Sequence, residues 1–180
     1  MKNTISIRSI VLVALFAALT FLGTTIKIPV PTGGFIHLGN SILLLAVLLI
    51  GYKKGALAGG LGFAIFDVLN GYAAEAPYFI FESFIVGGAA ALAMLLFRNK
   101  IDSIGKILTV AIITGIVKII MTQLKNTAML FLAGSNLSIA FTGASTKLPA
   151  TIVNVISTII IVTVVYFPLK KAMSKIITDR

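Results

Sequence analysis

The chain has 180 residues, of which 58% are hydrophobic and only 11% are charged. In soluble domains roughly a quarter of all residues are charged, so this composition excludes an ordinary soluble protein and predicts a membrane protein. The absence of cysteine excludes disulfides and thiolate metal sites, and a single histidine disfavours a zinc or haem site, so we expect neither a metal nor a cofactor.

Six apolar runs approach the length of about 20 helical residues that a bilayer crossing takes. In chain order they are Ile7–Ile28, Leu38–Gly51, Gly55–Leu69, Pro77–Phe97, Ile104–Leu132 and Leu148–Phe167. Only Tyr52-Lys53-Lys54 separates the second from the third, and two lysines are costly at mid-bilayer, so we interpret these runs as two helices joined by a tight turn. The sequence thus predicts an all-α integral membrane protein with a single domain over residues 1–180.

The distribution of basic residues predicts the orientation of these helices. With the N-terminus inside, eleven of the fifteen Lys and Arg residues fall on the cytoplasmic side, and only Lys27 and Lys147 fall outside. We therefore expect six spans, both termini in the cytoplasm, and a bacterial plasma membrane location. The predicted outer loops are Ile28–His37, Asn70–Ala76 and Ala133–Thr146. The first run lacks a small-residue cleavage site and is interpreted as a retained helix.

Small residues one helical turn apart mark the first and third helices. Ala14 and Ala18 form a smooth face that a partner helix could approach closely. Gly55, Gly59 and Gly62 have similar spacing, and for them we favour packing inside the bundle.

The segment between the first two helices is both stiff and polar. Pro29 and Pro31 restrict the backbone, while Gly33 and Gly34 allow a sharp reversal. Such a segment can fold over a cavity as a lid. His37 and Asn40 follow at the start of the second helix, where each could contact a ligand or cap the helix.

Polar side chains recur at helical spacing in the outer halves of the later helices. Ionisable groups cost about 2.5–3.5 kcal/mol each inside a membrane, so they usually line a cavity or pair with one another. We predict an outward-facing pocket for a small polar molecule, lined by His37, Asn40, Tyr78, Glu82, Lys118, Thr122, Lys125, Asn126, Lys147 and Asn154. The alternative is that such groups hold helices together, as Glu82–Lys118 or Asp67–Lys125 pairs.

Several stretches resemble one family of membrane proteins. They are PTGGFIHLGN (residues 31–40), GYKKGALAGGLGFAIFDVLNGY (51–72), APYFIF (76–81) and LPATIVNVIS (148–157). With six helices and the Ala14/Ala18 face, they are similar to the S component of an energy-coupling factor (ECF) vitamin transporter. The resemblance implies a vitamin bound beneath outer loops, docking through Ala14 and Ala18 onto a transmembrane scaffold, and two cytoplasmic ATPases. It also explains why the chain has no GxxxxGK[ST] motif.

The pocket residues allow a ranking of ligands. Glu82 could accept hydrogen bonds from hydroxyls or a protonated ring nitrogen, and a lysine could hold a carboxylate or phosphate. Tyr78 and Phe79 offer a stacking surface for a ring. A pyridoxine-like or hydroxymethylpyrimidine-like ligand ranks first, and pantothenate ranks next. Glu82 departs from the resemblance, because related pyridoxine- and hydroxymethylpyrimidine-type sequences are often basic early in the fourth helix.

Two other classes of function stay open. A stand-alone secondary carrier could use Asp67 and Lys118 as a proton or ion relay. A membrane-embedded enzyme would need a nucleophile–base set or a carboxylate–metal cluster. No DxxD, HExxH or GxSxG motif occurs, so we expect no catalytic residues.

Overall fold

The computed structural model describes residues 6–31 and 34–178, with side chains as far as Ser174. Lys2, Gly33 and Arg180, which entered the sequence predictions, lie outside this part of the chain. The described elements are α1 (Ile7–Thr25), β1 (Lys27–Val30), β2 (Gly34–His37), α2 (Gly39–Ile50), α3 (Tyr52–Leu69), α4 (Ala76–Leu95), α5 (Ile104–Leu132), α6 (Leu137–Ser145) and α7 (Leu148–Thr178). The architecture is helical, as predicted, with one short hairpin added.

The structure corrects the sequence prediction at four boundaries. The expected irregular lid is an antiparallel hairpin of β1 and β2, in which Lys27 lies opposite His37. The expected outer loop Ala133–Thr146 contains the helix α6. Gly51, with φ +88°, makes the turn between α2 and α3 alone, so Tyr52-Lys53-Lys54 forms the first turn of α3. The last helix continues through Pro168 to Thr178 instead of ending at Phe167.

Helix α2 lies at the centre of the bundle. It packs against α1, α3, α4 and α7, and the run Leu43–Leu48 is buried. Its sequence is apolar on every side, which is typical of a helix surrounded by other helices. Val47 of α2, Ala90 of α4 and Val162 of α7 belong to the same core cluster.

Four helices in the described residues are long and apolar enough to cross a membrane. They occupy Ile7–Thr25, Ala73–Leu95, Ile104–Leu132 and Leu148–Ser174. Helix α2 is shorter, because its 12 residues span only about 18 Å at 1.5 Å per residue. Large apolar side chains such as Leu15, Ile116 and Ile160 are more than half exposed, as expected for a lipid-facing surface.

The glycines of α3 permit close helix packing. A Cβ added at Gly62 would lie 2.6 Å from the carbonyl oxygen of Ala17 in α1, and one added at Gly59 would overlap the side chain of Leu43 in α2. Both glycines are buried. The structure therefore places the small residues of α3 in internal contacts, as the sequence favoured.

Candidate binding site

A cavity of about 420 Å³ lies at the end of the bundle where α1 and α3 end and where α2, α4 and α7 begin. This volume is within the range of roughly 300–1,000 Å³ for small-molecule sites. All ten side chains that the sequence predicted for the pocket line it: His37, Asn40, Tyr78, Glu82, Lys118, Thr122, Lys125, Asn126, Lys147 and Asn154. Their direct contact with a ligand stays a prediction.

Two ion pairs connect α5 to the start of α4. Lys118 Nζ lies 2.5 Å from Glu82 Oε2, and the side chain of Glu82 is only 3% exposed. The other oxygen of Glu82 accepts a hydrogen bond of 2.9 Å from the Tyr78 hydroxyl. Lys125 pairs with Glu75, which ends a short 3₁₀ turn before α4. Of the two pairs considered from sequence, Glu82–Lys118 is therefore present, whereas Lys125 pairs with Glu75 instead of Asp67.

Aromatic rings form one wall of the cavity. Phe79 packs edge-on against Tyr78, with ring centroids 5.3 Å apart, and its centroid lies 6.1 Å from that of Phe63. Lys125 Nζ lies 4.6 Å and Lys118 Nζ 5.5 Å from the centre of the Phe79 ring. Cations near an aromatic face are stabilised by its quadrupole, so this wall holds both lysines in place.

The hairpin covers the cavity and is bonded to α7 through Asn154. The Asn154 side chain accepts a hydrogen bond from the backbone N–H of His37 at 2.9 Å and donates one to the carbonyl of Phe35 at 2.7 Å. The amide thus pairs with β2 much as a neighbouring strand would. Since both polar atoms of Asn154 are used in this way, the structure assigns it a role in holding the hairpin.

Lys27 connects the opposite strand of the hairpin to the end of α3. Its ammonium donates a hydrogen bond of 3.1 Å to Asn70 Oδ1. The same group lies 4.4 Å from the ring centre of Phe66 and 4.7 Å from that of Phe35. The hairpin is therefore attached on two sides, to α3 through Lys27 and to α7 through Asn154.

His37 performs the capping role that the sequence left open. Its Nδ1 accepts a hydrogen bond of 3.2 Å from the backbone N–H of Gly39, at the start of α2. Burial first, and then the positive charges of Lys118 and Lys27, lower the pKa of His37 from 6.5 to about 4. The imidazole is therefore neutral at pH 7, with Nδ1 as the acceptor. Asn40 lies within α2 and makes no capping bond.

The remaining predicted residues differ in how many of their polar groups already have a hydrogen-bond or ion-pair partner within the protein. Asn126 is 8% exposed, and its amide nitrogen donates to the carbonyl of Thr122 in its own helix at 2.9 Å. Its carboxamide oxygen has no protein partner among the described residues. Lys147, just before α7, forms no ion pair there either. Both groups line the cavity and keep hydrogen-bonding capacity.

Asp67 lines the same cavity and was missing from the predicted ligand set. It is 5% exposed, and its Oδ2 has no hydrogen-bond partner in the described part of the protein. Asp67 could have been predicted from the sequence, because it lies in the last turn of α3, on the same side of the predicted membrane as the other polar residues. Glu75 was likewise missed, because it lies in a turn where no helical spacing points to the cavity.

The small-residue face of α1 lies on the outside of the bundle. Ala14 and Ala18 are exposed, whereas Ala17 between them is buried. The exposed residues Val11, Leu15 and Leu22 continue this apolar surface. A partner helix could therefore reach Ala14 and Ala18 without any rearrangement of the core.

Apolar helices around a polar cavity near one end define a membrane-embedded protein that binds a small solute. A family model described as "ECF-type riboflavin transporter, S component" matches residues 4–171. The chain belongs to this family. It is a multi-pass membrane protein and the vitamin-binding S component of an ECF transporter, which is a transport protein and not an enzyme.

A curated relative from Pyrococcus woesei is similar over part of the chain. It is described as "Uncharacterized protein in gap 3'region" and is 28% identical over 104 residues. The match covers 57% of this chain and 67% of the relative. That description names no ligand, so this relative gives no information about which vitamin is bound.

Proposed function

We propose that this chain binds a water-soluble vitamin or vitamin precursor that has a heteroaromatic ring and no net charge, and delivers it for ATP-driven uptake. The observation that carries this proposal is the charge balance of the cavity. Three lysines line it (Lys118, Lys125 and Lys147), and three acids balance them (Asp67, Glu75 and Glu82). His37 adds no charge at neutral pH.

The balanced charges disfavour an anionic ligand. A net charge brought into a site of low dielectric is costly unless a counter-charge is waiting for it. Pantothenate, the second candidate from sequence, carries a carboxylate and would give the cavity a net negative charge. Pyridoxine and hydroxymethylpyrimidine have no net charge in their predominant forms, and riboflavin, which the family description names, is also an uncharged heteroaromatic compound.

The aromatic wall supports a ring-shaped ligand. Phe79, Tyr78 and Phe63 lie side by side on one flank of the cavity. Offset stacking or edge contacts with such rings add about 0.5–1.5 kcal/mol beyond the burial of area. Asn126 and Lys147 supply polar groups that can fix the orientation of ring substituents.

The proposal extends to the partners of the chain. Docking through Ala14 and Ala18 onto a transmembrane scaffold would couple the loaded chain to two cytoplasmic ATPases. The distribution of basic residues supports an orientation with both termini in a bacterial cytoplasm, and in that orientation the cavity opens on the outer side, where it meets the vitamin first. Uptake that requires the scaffold and the ATPases supports this function, whereas uptake by the chain alone would indicate a secondary carrier.

Calorimetric titration of the purified chain, in detergent and without ATP, tests the proposal. The panel is pyridoxine, hydroxymethylpyrimidine, riboflavin and pantothenate. We expect one ring compound to bind and pantothenate to give no signal. Silence across the panel, or binding of pantothenate alone, contradicts the proposal. Mass spectrometry of the small molecule that co-purifies with the protein provides an independent identification.

A further inference from the structure

The charged residues of the cavity do not all have partners. Lys118 pairs with Glu82, and Lys125 pairs with Glu75. Within the described residues this leaves one carboxylate, Asp67, and one ammonium, Lys147, without an ion pair. They approach the cavity from different elements, since Asp67 lies near the end of α3 and Lys147 just before α7.

The protein offsets the cost of burying Asp67 only in part, through the charges of Lys125 and Lys118, which pair with other carboxylates. It is 5% exposed, and its Oδ2 finds no donor in the described chain. The nearby Lys27 ammonium is already bonded to Asn70 and packed against aromatic rings. A buried carboxylate without a hydrogen bond costs several kcal/mol, and ionisable groups that persist inside a membrane usually serve a function. Oδ2 is enclosed by the protein, whereas the other oxygen, Oδ1, is left accessible where Asp67 lines the cavity, so a donor is expected on the ligand at Oδ1.

We propose that Asp67 selects the substrate by accepting a hydrogen bond from a protonated ring nitrogen, while Lys147 faces an oxygen of the same ring that bears negative charge. This inference rests on the proposed function and narrows its substrate class to hydroxylated nitrogen heterocycles that bind as zwitterions. Pyridoxine is such a compound, because its pyridine nitrogen holds a proton while its phenol oxygen is ionised. An aspartate opposite a pyridinium nitrogen is a known way to stabilise that protonated form.

Comparison of two ligands on two proteins isolates this contact. The ligands are pyridoxine and its benzene analogue, in which a C–H group replaces the ring nitrogen. The proteins are the wild-type chain and Asp67→Asn, which keeps the shape and removes the charge. Asp102→Asn is the matched control, because Asp102 is exposed and its pairing with Lys106 lies outside the cavity.

We expect Asp67→Asn to weaken pyridoxine binding by about 10- to 100-fold, the range for a hydrogen bond to a charged group. The benzene analogue should bind the wild type and Asp67→Asn equally, and Asp102→Asn should change neither affinity. The ligand-free Asp67→Asn protein should melt at the same or a higher temperature, because the substitution removes an unpaired buried charge. A purely structural aspartate would instead lower the melting temperature.

Equal losses for both ligands, or no loss for pyridoxine, overturn the inference. If Asp67→Asn does not fold, equal affinities of the wild type for pyridoxine and its benzene analogue overturn it equally well. If the wild type binds riboflavin or hydroxymethylpyrimidine but not pyridoxine, the inference fails and the proposed function stands. Silence of the wild type towards the whole vitamin panel overturns both.

Discussion

At the residue scale, the cavity keeps most of its charge in closed pairs. Glu82 is the clearest case, because Tyr78 and Lys118 occupy its two oxygens. In a medium of low dielectric, each partner of such a pair depends on the other. The sequence predicted Glu82 as a ligand contact. The structure adds that Glu82 forms an ion pair with Lys118 and so neutralises its charge.

Replacement of Glu82 by Gln should therefore lower stability. The substitution leaves Lys118 charged and unpaired, and loss of one partner of a buried pair costs about 3–5 kcal/mol. The double variant Glu82→Gln/Lys118→Met should recover most of that loss. Melting temperature and ligand affinity are measured on the same preparation. Weakened binding at an unchanged melting temperature would mean that Glu82 contacts the ligand directly.

His37 makes the stability of the outer end depend on pH. Its pKa is about 4 in the folded protein and 6.5 for an exposed histidine, so the unfolded chain takes up the proton first as the pH falls. The stabilisation is complete above about pH 6.5 and declines towards pH 4. Between pH 7.5 and pH 5, the free energy of unfolding should fall by about 2 kcal/mol.

The measurement compares thermal unfolding of the wild type and His37→Asn across this pH range. Asparagine can accept the hydrogen bond of Gly39 without titrating, so the variant should lack this part of the pH dependence. Other titratable groups change the stability of both proteins in the same way as the pH falls. Only the difference in stability between the wild type and His37→Asn therefore reports on His37. Parallel curves would show that His37 does not change its protonation on unfolding.

At the element scale, the β1–β2 hairpin is the part that decides access to the cavity. Its four paired residues on each strand form too small a sheet to be stable alone. Lys27 and Asn154 supply the missing interactions from α3 and α7. We therefore expect the hairpin to keep its place over the cavity through these side chains, and to be loosened when one of them is removed.

Asn154→Leu should speed the escape of the ligand. Two hydrogen bonds to β2 are lost, each contributing about 0.5–1.5 kcal/mol, so the dissociation rate should rise about tenfold. Thr158→Val is the control, since Thr158 lies one turn further along the same helix and outside the cavity lining. Stopped-flow release of bound vitamin gives the rate. An equal rise in Thr158→Val would contradict the role of Asn154 in holding the hairpin.

At the scale of the whole molecule, the cavity and the proposed docking face lie on different surfaces. The cavity lies among helix ends and the hairpin, whereas Ala14 and Ala18 lie exposed on α1. Neither alanine lines the cavity. A change on this face of α1 can therefore disturb assembly without altering the site.

Ala14→Trp and Ala18→Trp should each abolish transport and leave vitamin affinity nearly unchanged. A bulky ring on this face keeps a partner helix from close approach. Ile116→Trp, on the exposed side of α5, is the control and should transport normally. Uptake is measured in cells with the scaffold and ATPases, and affinity by calorimetry. Loss of binding in both alanine variants would show that they matter for the fold instead.

The helices and the polar faces were predictable from sequence because the bilayer leaves the backbone few choices. Backbone groups in lipid must bond within a helix, so α5 begins and ends where its apolar run does. Polar residues at spacings of three and four must share a helix face, which placed Lys118, Thr122 and Lys125 on one side of a cavity. The hairpin was not predicted, because two strands of four residues, with Pro29 in the first and Pro31 just after it, look like a loop.

The sequence by itself determined the class of the protein, its long apolar helices and the ten predicted residues that line the cavity. Only the tertiary structure decided which polar groups meet. Glu75 pairs with Lys125 across 50 positions, and Asn154 bonds to His37 across 117. Such pairings depend on how helices pack in space, and no local spacing encodes them. For the same reason, only the folded chain shows that Asp67, among the three acids that line the cavity, has no ion pair within the described residues.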